Sequence, residues 1–546
     1  MKHNTLRIVP LGGLGEVGKN MMLYEYGGQI LVVDAGMMFP DNDMPGIDYI
    51  IPDMTYLLSK RQQVAGIVIT HGHEDHLGAI QHLLQEVNVP VYATPLTRGL
   101  IEVKLARHGL MKNADLRTVQ AGQGVKIGPF QVEFFHVCHS IPDGVGLAIQ
   151  TQAGLVVHTG DYKLDHTPVD NWPTDYAKLA ELSRRGVLAL LADSTNSERP
   201  GWTPSERVID QAFDRVFREA KGRIILASFA SLVSRMQQVA NAAAAHGRKL
   251  AFVGTSMVDN AKMARKLGYL DIPEETLTTI DQALNMKDED VVIMCTGSQG
   301  EPTSIMGRLS IGRYRMFDIK EGDTVVLSAH PIPGNEEAVY RTINRLFRRG
   351  AEVVYEAVAP VHVSGHASQE EMKMLLNLVR PKHVIPIHGE LRHLKQHAQL
   401  ARQVGVPAEN ITVVENGQVI EFHDGKMRLG ERIPGTHVFV DGSSVGDVSQ
   451  AVMRERETLG AEGVLMVHVV VDARSGELRG EPQVRSHGFI LASEAEDLHD
   501  RVRQRVGEAL AQANGNVVKD IEQSVRGFLY DEMRRSPRVF VSVSEV

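Results

Sequence analysis

Four metal-ligating side chains fall within six residues, His71-Gly-His73-Glu-Asp75-His76. They follow the apolar stretch Ile67-Val68-Ile69, so a short buried strand delivers them. Gly72 lets the loop turn so that three imidazoles and a carboxylate converge beyond the strand end. Neutral imidazole nitrogens and carboxylate oxygens suit Zn²⁺ or Mn²⁺. Four such groups exceed what one tetrahedral ion takes from a single loop, so the spacing predicts two ions. Only Cys138 and Cys295 are present, too few for a thiolate site, and any metal must rest on His and Asp.

Other strand ends add candidates. Gln131-Val-Glu-Phe-Phe-His136-Val-Cys-His139 alternates as a strand, and at period two His136 and His139 cannot both face one site. His139 is the ligand candidate, because the strand is expected to end there and give way to the loop Ser140-Ile-Pro142-Asp143-Gly144; His136 reads as a satisfied sheet histidine. Gly154-Leu-Val-Val-His158-Thr-Gly160-Asp161 repeats the strand, glycine and carboxylate, and puts Asp161 where it can bridge two ions. A third apolar run ends in Asp193, and Val384-Ile-Pro-Ile387 ends in His388. His388 lies so far along the chain from His71 that only a closing sheet brings the two together. Asp34, after the run 29–33, is expected at the mouth of the site. His383, His393 and His397 lack the strand-end position and read as surface histidines.

The elements that must position these groups read as alternating β and α. Near the N-terminus, Gly13, Gly15 and Gly18 fit G-x-G-x-x-G, and the stretch from Gly13 to Lys19 approaches a phosphate-binding loop. Context argues against both. Asn20 replaces the hydroxyl that would hold magnesium, and residues 21–26 and 29–33 read as a hairpin around Gly27-Gly28 rather than a crossover helix. Asp41 and Asp43, in a Pro/Gly/Asp loop, offer oxygens to a hard cation such as Ca²⁺ without the spacing of an EF-hand. A second α/β pattern occupies the stretch from Thr203 to about Gly350 and reads as an insertion. Its turns Ser228-Phe-Ala-Ser231 and Gly297-Ser298-Gln299-Gly300-Glu301 follow parallel strands, where such turns either bind phosphate or only turn. Arg341, Arg345, Arg348 and Arg349 form a stripe on a helix opened by Asn335-Glu336-Glu337. It is expected to lead towards the site and steer a phosphate backbone. The tail reads as a separate α+β domain: a strand over 463–471, a turn at Arg474-Ser-Gly476, helices over 494–513 and 517–535 and a strand over 538–543, with no ligand-like cluster.

The 546 residues are too many for one ordinary core, and about three folding units are expected. Apolar residues make up 43 % and charged residues 23 %, the profile of a globular protein. The net charge of −9 argues against a generally basic nucleic-acid binder, while leaving room for a local basic groove or for metal ions as the source of positive charge. No apolar run approaches a membrane span and Met1-Lys2-His3-Asn4 lacks a signal-peptide core, so no membrane partner is expected and the cytoplasm is the expected compartment.

Taken in order, His71-x-His73-x-Asp75-His76, His139 and Asp161 resemble the metallo-β-lactamase fold, a four-layered αββα sandwich with a dinuclear site between two sheets. Asp193, His362-Val363-Ser364-Gly365-His366 and His388-Gly-Glu390 resemble the β-CASP nucleic-acid-processing branch of that fold. The full set, with Asp193-Ser-Thr-Asn-Ser-Glu-Arg-Pro-Gly201, resembles the bacterial ribonuclease J family over nearly the whole chain. The resemblance implies an α/β protein: a metallo-β-lactamase domain over 1–203 and 351–420, a β-CASP domain over 204–350, a linker over 421–447 and a C-terminal assembly domain over 448–546. It also implies that the motif His362, Val363, Ser364, Gly365 and His366 grips RNA beside the scissile bond, and that His366 takes part in proton transfer. One departure stands out, since Leu232-Val233-Ser234-Arg235 does not carry the family's Asn-x-His-Arg wording.

On this reading His71, His73 and His139 hold one ion, Asp75, His76 and His388 hold the other, and Asp161 bridges them. Asp193 and His366 are the candidates for proton transfer to the leaving oxygen, with the donor left open between them. The expected activity is metal-dependent 5′-to-3′ exonuclease and endonuclease cleavage of single-stranded RNA, preferring a 5′ monophosphate. Its expected setting is rRNA processing and mRNA decay, with a homodimer or homotetramer formed through the C-terminal domain and other RNA-decay proteins as partners. The rival readings are a small-molecule metallohydrolase acting on thioesters or lactams, and a non-catalytic RNA-binding scaffold.

Overall fold

The computed structural model describes residues 4–546 apart from 42, 333, 492–494 and 513–515; the readings placed on residues 1–3, 42, 494 and 513 lie outside the described residues. Residues 1–41 and 49–438 form one compact unit, and residues 42–48 and 439–546 form another.

The first unit is built on two sheets. One runs Lys426–Arg432, Gln418–His423, Thr5–Gly12, Met21–Tyr26, Gln29–Val33, Val64–Val68, Val91–Ala93, Leu116–Thr118. The other runs His383–Ile387, Val187–Asp193, Gly154–His158, Val145–Thr151, Phe130–His136, Gly124–Ile127. Their facing sides share one core, in which Tyr24, Leu31, Val33 and Val68 meet Phe134, Leu147, Val156 and Leu191. Helices close the outer faces. Leu190 and Ala192 point from the second sheet into a separate cluster with Leu179, Met372 and Leu400 of the covering helices. The strand Val187–Asp193 is therefore buried on both sides, which is why it reads as an unbroken apolar run rather than an alternating one. This is the αββα sandwich the motif order implied.

Three neighbouring strands of the second sheet run parallel, with His158 beside Leu191 and Asp193 beside Ile387. Parallel register brings their carboxyl ends to one edge, and Asp161, Asp193 and His388 leave from that edge. The far end of the chain is thus returned to the first ligands by strand pairing, as expected. The inserted domain has its own five-stranded parallel sheet, in the order Lys249–Phe252, Val291–Cys295, Ile224–Ala227, Thr324–Leu327, Glu352–Val354, over its own core.

Several boundaries differ from those expected. Strand Glu352–Val354 pairs with Thr324–Leu327, so the inserted sheet continues past residue 350. Strands Gln418–His423 and Lys426–Arg432 continue the first sheet beside Thr5–Gly12, so residues 421–432 are sheet rather than linker. Strand Phe130–His136 ends three residues before His139, which sits in the loop beyond it.

The second unit contains a three-stranded sheet, Gln483–His487, Val464–Val471, Arg538–Glu545, with one face packed on helices Ala495–Ala511 and Val517–Met533. Strand Gln483–His487 and helix Gln450–Glu462 had no expectation in the sequence reading. No described helix is long and apolar enough to cross a membrane.

Candidate metal centre

Two ligand clusters share one carboxylate. His71, His73, His139 and Asp161 form one, and Asp75, His76, Asp161 and His388 form the other, the ligand atoms of each lying within 4.8 Å of one another. Asp161 stands at the centre. Its Oδ2 is 3.6 Å from both His71 Nε2 and His139 Nε2, and its Oδ1 is 3.2 Å from His76 Nε2 and 2.8 Å from His388 Nδ1. Asp75 Oδ2 lies 3.5 Å from His76 Nε2 and 3.3 Å from His388 Nε2. A third cluster, Asp161, Asp193, His366 and His388, overlaps the second.

The rings are aimed from behind. His76 Nδ1 is 2.8 Å from Asp34 Oδ2, and the same carboxylate accepts from Thr70 N at 2.7 Å and Thr70 Oγ1 at 3.0 Å. His139 Nδ1 donates to Gly365 O at 2.7 Å, which leaves its Nε2 facing Asp161. A side chain at 365 would meet the His139 ring at 2.5 Å, so this approach requires glycine. His388 itself takes a left-handed backbone, φ +51°, at the strand end.

The donor set fits divalent ions. His71 Nε2 and His388 Nε2 are buried without a hydrogen-bond partner and lie in the cluster, and buried polar atoms left this way need an explanation. Burial and the neighbouring imidazoles hold His71 and His139 well below the usual histidine range, and burial brings His73 to about 4, so all three stay neutral, the form that binds metal. Against the same burial, Asp161 with Asp75 and Asp34 holds His76 well above its usual value, and Asp161 does the same for His388. A buried carboxylate that draws positive charge onto both neighbouring rings marks a place for a cation.

Asp193 and His366 sit beside the clusters as a pair, Oδ2 to Nδ1 2.7 Å. Thr195 fixes Asp193 Oδ1 through its amide at 2.9 Å and its hydroxyl at 2.7 Å. Asn196 donates to Ser364 Oγ at 2.7 Å and to His366 O at 3.0 Å, tying the Asp193 strand end to the His362–Ser368 loop. His362, Ser364, Gly365 and His366 line a cleft of about 650 Å³ together with His73, Asp75, His139, Asp161 and His388. Arg199, Phe229, Ser231 and His330 line it as well.

Other expectations are corrected by the structure. Val363 is buried and does not line the cleft, although His362 and Ser364 on either side of it do. Asp34 lies behind His76 rather than at the mouth, because its left-handed backbone, φ +64°, turns the side chain back. His383, His393 and His397 are buried, not surface residues; His397 Nδ1 meets Ser194 Oγ at 2.9 Å, behind Asp193. None of Arg341, Arg345, Arg348 and Arg349 lines the cleft, and Arg341 and Arg349 pair with Glu337 and Asp318. Ser228, Ser298 and Gln299 do not line it either; Gln299 braces its rim through His330 O and Ile332 N, at 2.8 and 2.7 Å. Arg235 is buried and pairs with Glu206 at 2.9 Å. Among the described residues, Asp41 and Asp43 join no cluster close enough to share an ion, and Asp41 lines the cleft. Thr195, Asn196 and Arg199 were missed as site residues, although all three fall inside a motif already singled out, Asp193-Ser-Thr-Asn-Ser-Glu-Arg-Pro-Gly201.

Family models agree with this architecture segment by segment. Residues 14–193 match the metallo-beta-lactamase superfamily, and residues 221–346 match the ribonuclease J beta-CASP domain. Residues 350–413 match a Zn-dependent metallo-hydrolase RNA specificity domain, and residues 451–546 match the ribonuclease J C-terminal domain. The chain is 38 % identical to ribonuclease J2 of Bacillus subtilis (strain 168), over 100 % of both chains. It is 41 % identical to ribonuclease J of Synechocystis, over 99 % of this chain and 87 % of that one, and 41 % identical to ribonuclease J of Thermus thermophilus, over 100 % and 96 %. Among solved structures, a protein of unknown function from Enterococcus faecalis V583 shares the fold, with a TM-score of 0.55 and 16 % identity over 76 % of this chain and 100 % of that one. With four family models along its length and full-length relatives near 40 % identity, the chain belongs to the ribonuclease J family of metal-dependent ribonucleases.

Proposed function

We propose that this chain hydrolyses single-stranded RNA with two divalent ions, Zn²⁺ or Mn²⁺, as a 5′-to-3′ exonuclease that also cuts internally and prefers a 5′ monophosphate. The observation that carries the reading is the cleft of about 650 Å³ lined together by members of both His/Asp clusters and by the Ser364–His366 loop. In this reading His71, His73 and His139 hold one ion, Asp75, His76 and His388 the other, with Asp161 between. Such a pair supplies a water of lowered pKa and neutralises charge on the non-bridging phosphate oxygens.

The remaining work belongs to side chains. Hydrolysis breaks the bond from phosphorus to the 3′-oxygen, and that oxygen must leave with a proton. Against the penalty of burial, Asp193 keeps His366 above its usual pKa, so His366 carries the proton and Asp193 orients the ring. Ser364 Oγ, held by Asn196, and Arg199 are the donors placed to orient phosphates. A recessed cleft with donors on its rim admits one strand more easily than a duplex, and its hydroxyls suit a monophosphate better than a bulkier triphosphate.

These features fit neither rival. A thioester or lactam hydrolase has no use for the inserted domain or for the His366–Asp193 pair, and a non-catalytic scaffold has no reason to keep a complete ligand set. The same reading places the protein in the cytoplasm, in rRNA processing and mRNA decay beside other decay proteins, and gives residues 448–546 the task of forming a homodimer or homotetramer. One RNA, labelled at its 3′ end and carrying a 5′ hydroxyl, monophosphate or triphosphate, tests the end preference. Degradation from the 5′ end should be fastest with the monophosphate. Equal rates and only internal products on all three would remove the exonuclease reading.

A further inference from the structure

Both tryptophans of the chain, Trp172 and Trp202, are exposed, at 41 % and 47 %. One loop links them. His166, near its start, meets Trp202 with ring centroids 5.8 Å apart, and Trp172, near its end, lies flat on His136 at 3.9 Å and 6°. Tyr176 also stacks on His166, centroids 6.0 Å apart. His136 is fixed in turn, its Nδ1 bonded to Pro173 O at 3.0 Å, so Trp172 is held rigid with its indole at the surface. An arginine is bonded to the same loop. Arg207 Nε donates to Thr167 O at 3.0 Å and its Nη2 contacts Asn171, while no ion pair with a carboxylate holds it among the described residues. Large indoles left in water cost solvation free energy, and exposed indoles together with an unneutralised guanidinium bonded to the same loop are the composition that binds bases by stacking and phosphates by charge.

The patch is continuous with the reaction cleft along the chain. Arg199 lines the cleft, Trp202 follows three residues later, and Thr203 donates to His366 O at 2.7 Å. We propose that Trp172, Trp202 and Arg207 form a platform outside the metal cleft that stacks unpaired RNA bases. It rests on the ribonuclease reading and adds a second holding point for the same strand. A platform of this kind retains long unpaired substrates through successive cleavages and does nothing for substrates too short to reach it.

The two tryptophans are the chain's whole indole emission, so they report on themselves. The metal-loaded protein is titrated with unpaired phosphorothioate RNA of about 4 and about 20 nucleotides, lengths on either side of a typical single-strand site. The longer RNA should quench the emission and the shorter should not. Trp172→Phe and Trp202→Phe divide the signal between the two rings. Trp202→Ala should weaken the longer RNA about fivefold or more, the lower end for losing one stacked base, and leave the shorter RNA unchanged. Emission unchanged at saturation with the longer RNA, or equal weakening of both lengths, would overturn the platform. A fall in molecular mass of Trp202→Ala by light scattering would overturn it in favour of a contact between protein subunits. Failure of the unaltered protein to bind either RNA, and to cleave the same sequences made with ordinary phosphodiester links, would instead strike the ribonuclease reading, and the two failures are thereby distinct.

Discussion

Asp193 Oδ2 lies 2.7 Å from His366 Nδ1, although the two residues come from a strand of the second sheet and from a loop far along the chain. Thr195 occupies the other carboxylate oxygen, so Asp193 serves both partners at once. The pair carries a sign. Asp193 raises the pKa of His366 against the pull of burial, so the imidazolium persists to higher pH with the carboxylate than without it. Asp193→Asn should therefore move the alkaline limb of the kcat profile to lower pH and reduce kcat by about 10²- to 10⁴-fold. A variant with lowered kcat and an unmoved alkaline limb would take proton donation away from His366.

Chelation should abolish hydrolysis and lower the melting temperature. Asp161 is a buried carboxylate and Asp75 a half-buried one, both held well below their usual pKa, against the cost of burial, by His76 and His388, and without cations those histidines must supply the compensating charge. Elemental analysis of the purified protein should find about two divalent ions per chain, and Asp161→Asn should lose both, since Asp161 belongs to every cluster. His139→Ala should lose only one. Loss of a single ion from Asp161→Asn would remove the bridging assignment.

Asp34 offers a test that leaves the ligands themselves untouched. Its carboxylate aims His76 and is fixed by Thr70, and groups that orient a metal-bound imidazole typically contribute 10- to 100-fold in metal affinity. Asp34→Asn should weaken metal binding in competition with a fluorescent chelator by that range while the folded structure persists. An unchanged affinity would make the contact one of packing alone.

The difference between Asp34 and Asp161 shows where reading a sequence succeeds and stops. Strand-end ligands are legible because an apolar run, a glycine and then a carboxylate or imidazole is a local pattern, and parallel strands align such ends without further information. That logic singled out His71, Asp161, Asp193 and His388, which the fold brings into overlapping clusters. It misplaced Asp34, because the left-handed turn at that residue depends on Thr70 and His76, thirty-six and more residues away. It also called His397 exposed, because nothing in helix Leu391–Gln403 announces that one face packs against Ser194. The arginine stripe failed for a similar reason: spacing puts charges on one helix face but does not say which way that face looks.

Arg235 illustrates the same limit with a measurable cost. The departure from the family's Asn-x-His-Arg wording surrounds an arginine that is buried and bonded to Glu206, to Val361 O at 2.7 Å and to Ser328, directly under the His362 loop. Arg235→Ala leaves Glu206 with only the more distant Lys163 as counter-charge and should destabilise the protein by about 3–5 kcal/mol, read from urea unfolding. Arg235→Lys should recover little, since one ammonium cannot reproduce the planar fork. Full stability in the lysine variant would show that charge alone suffices there.

The proposed assembly through the C-terminal unit would use the side of its sheet opposite the two long helices. Along strand Val464–Val471 alternate residues are buried against the two long helices, and Met466 on the opposite face is 40 % exposed. Its partner in the parallel register is Phe540, 50 % exposed, so two large apolar side chains stand next to each other on the same face. Neighbouring apolar residues of this size on a sheet face are more readily explained by an interface than by solvent contact. Removing residues 448–546 should give a smaller particle by light scattering and weaker activity, with the metal content unchanged because every proposed ligand lies before that point. Phe540→Asp should do the same without removing the domain, since a charge at the centre of an apolar contact is desolvated without a partner. If the truncated chain and Phe540→Asp both keep the full particle mass, assembly does not run through this unit.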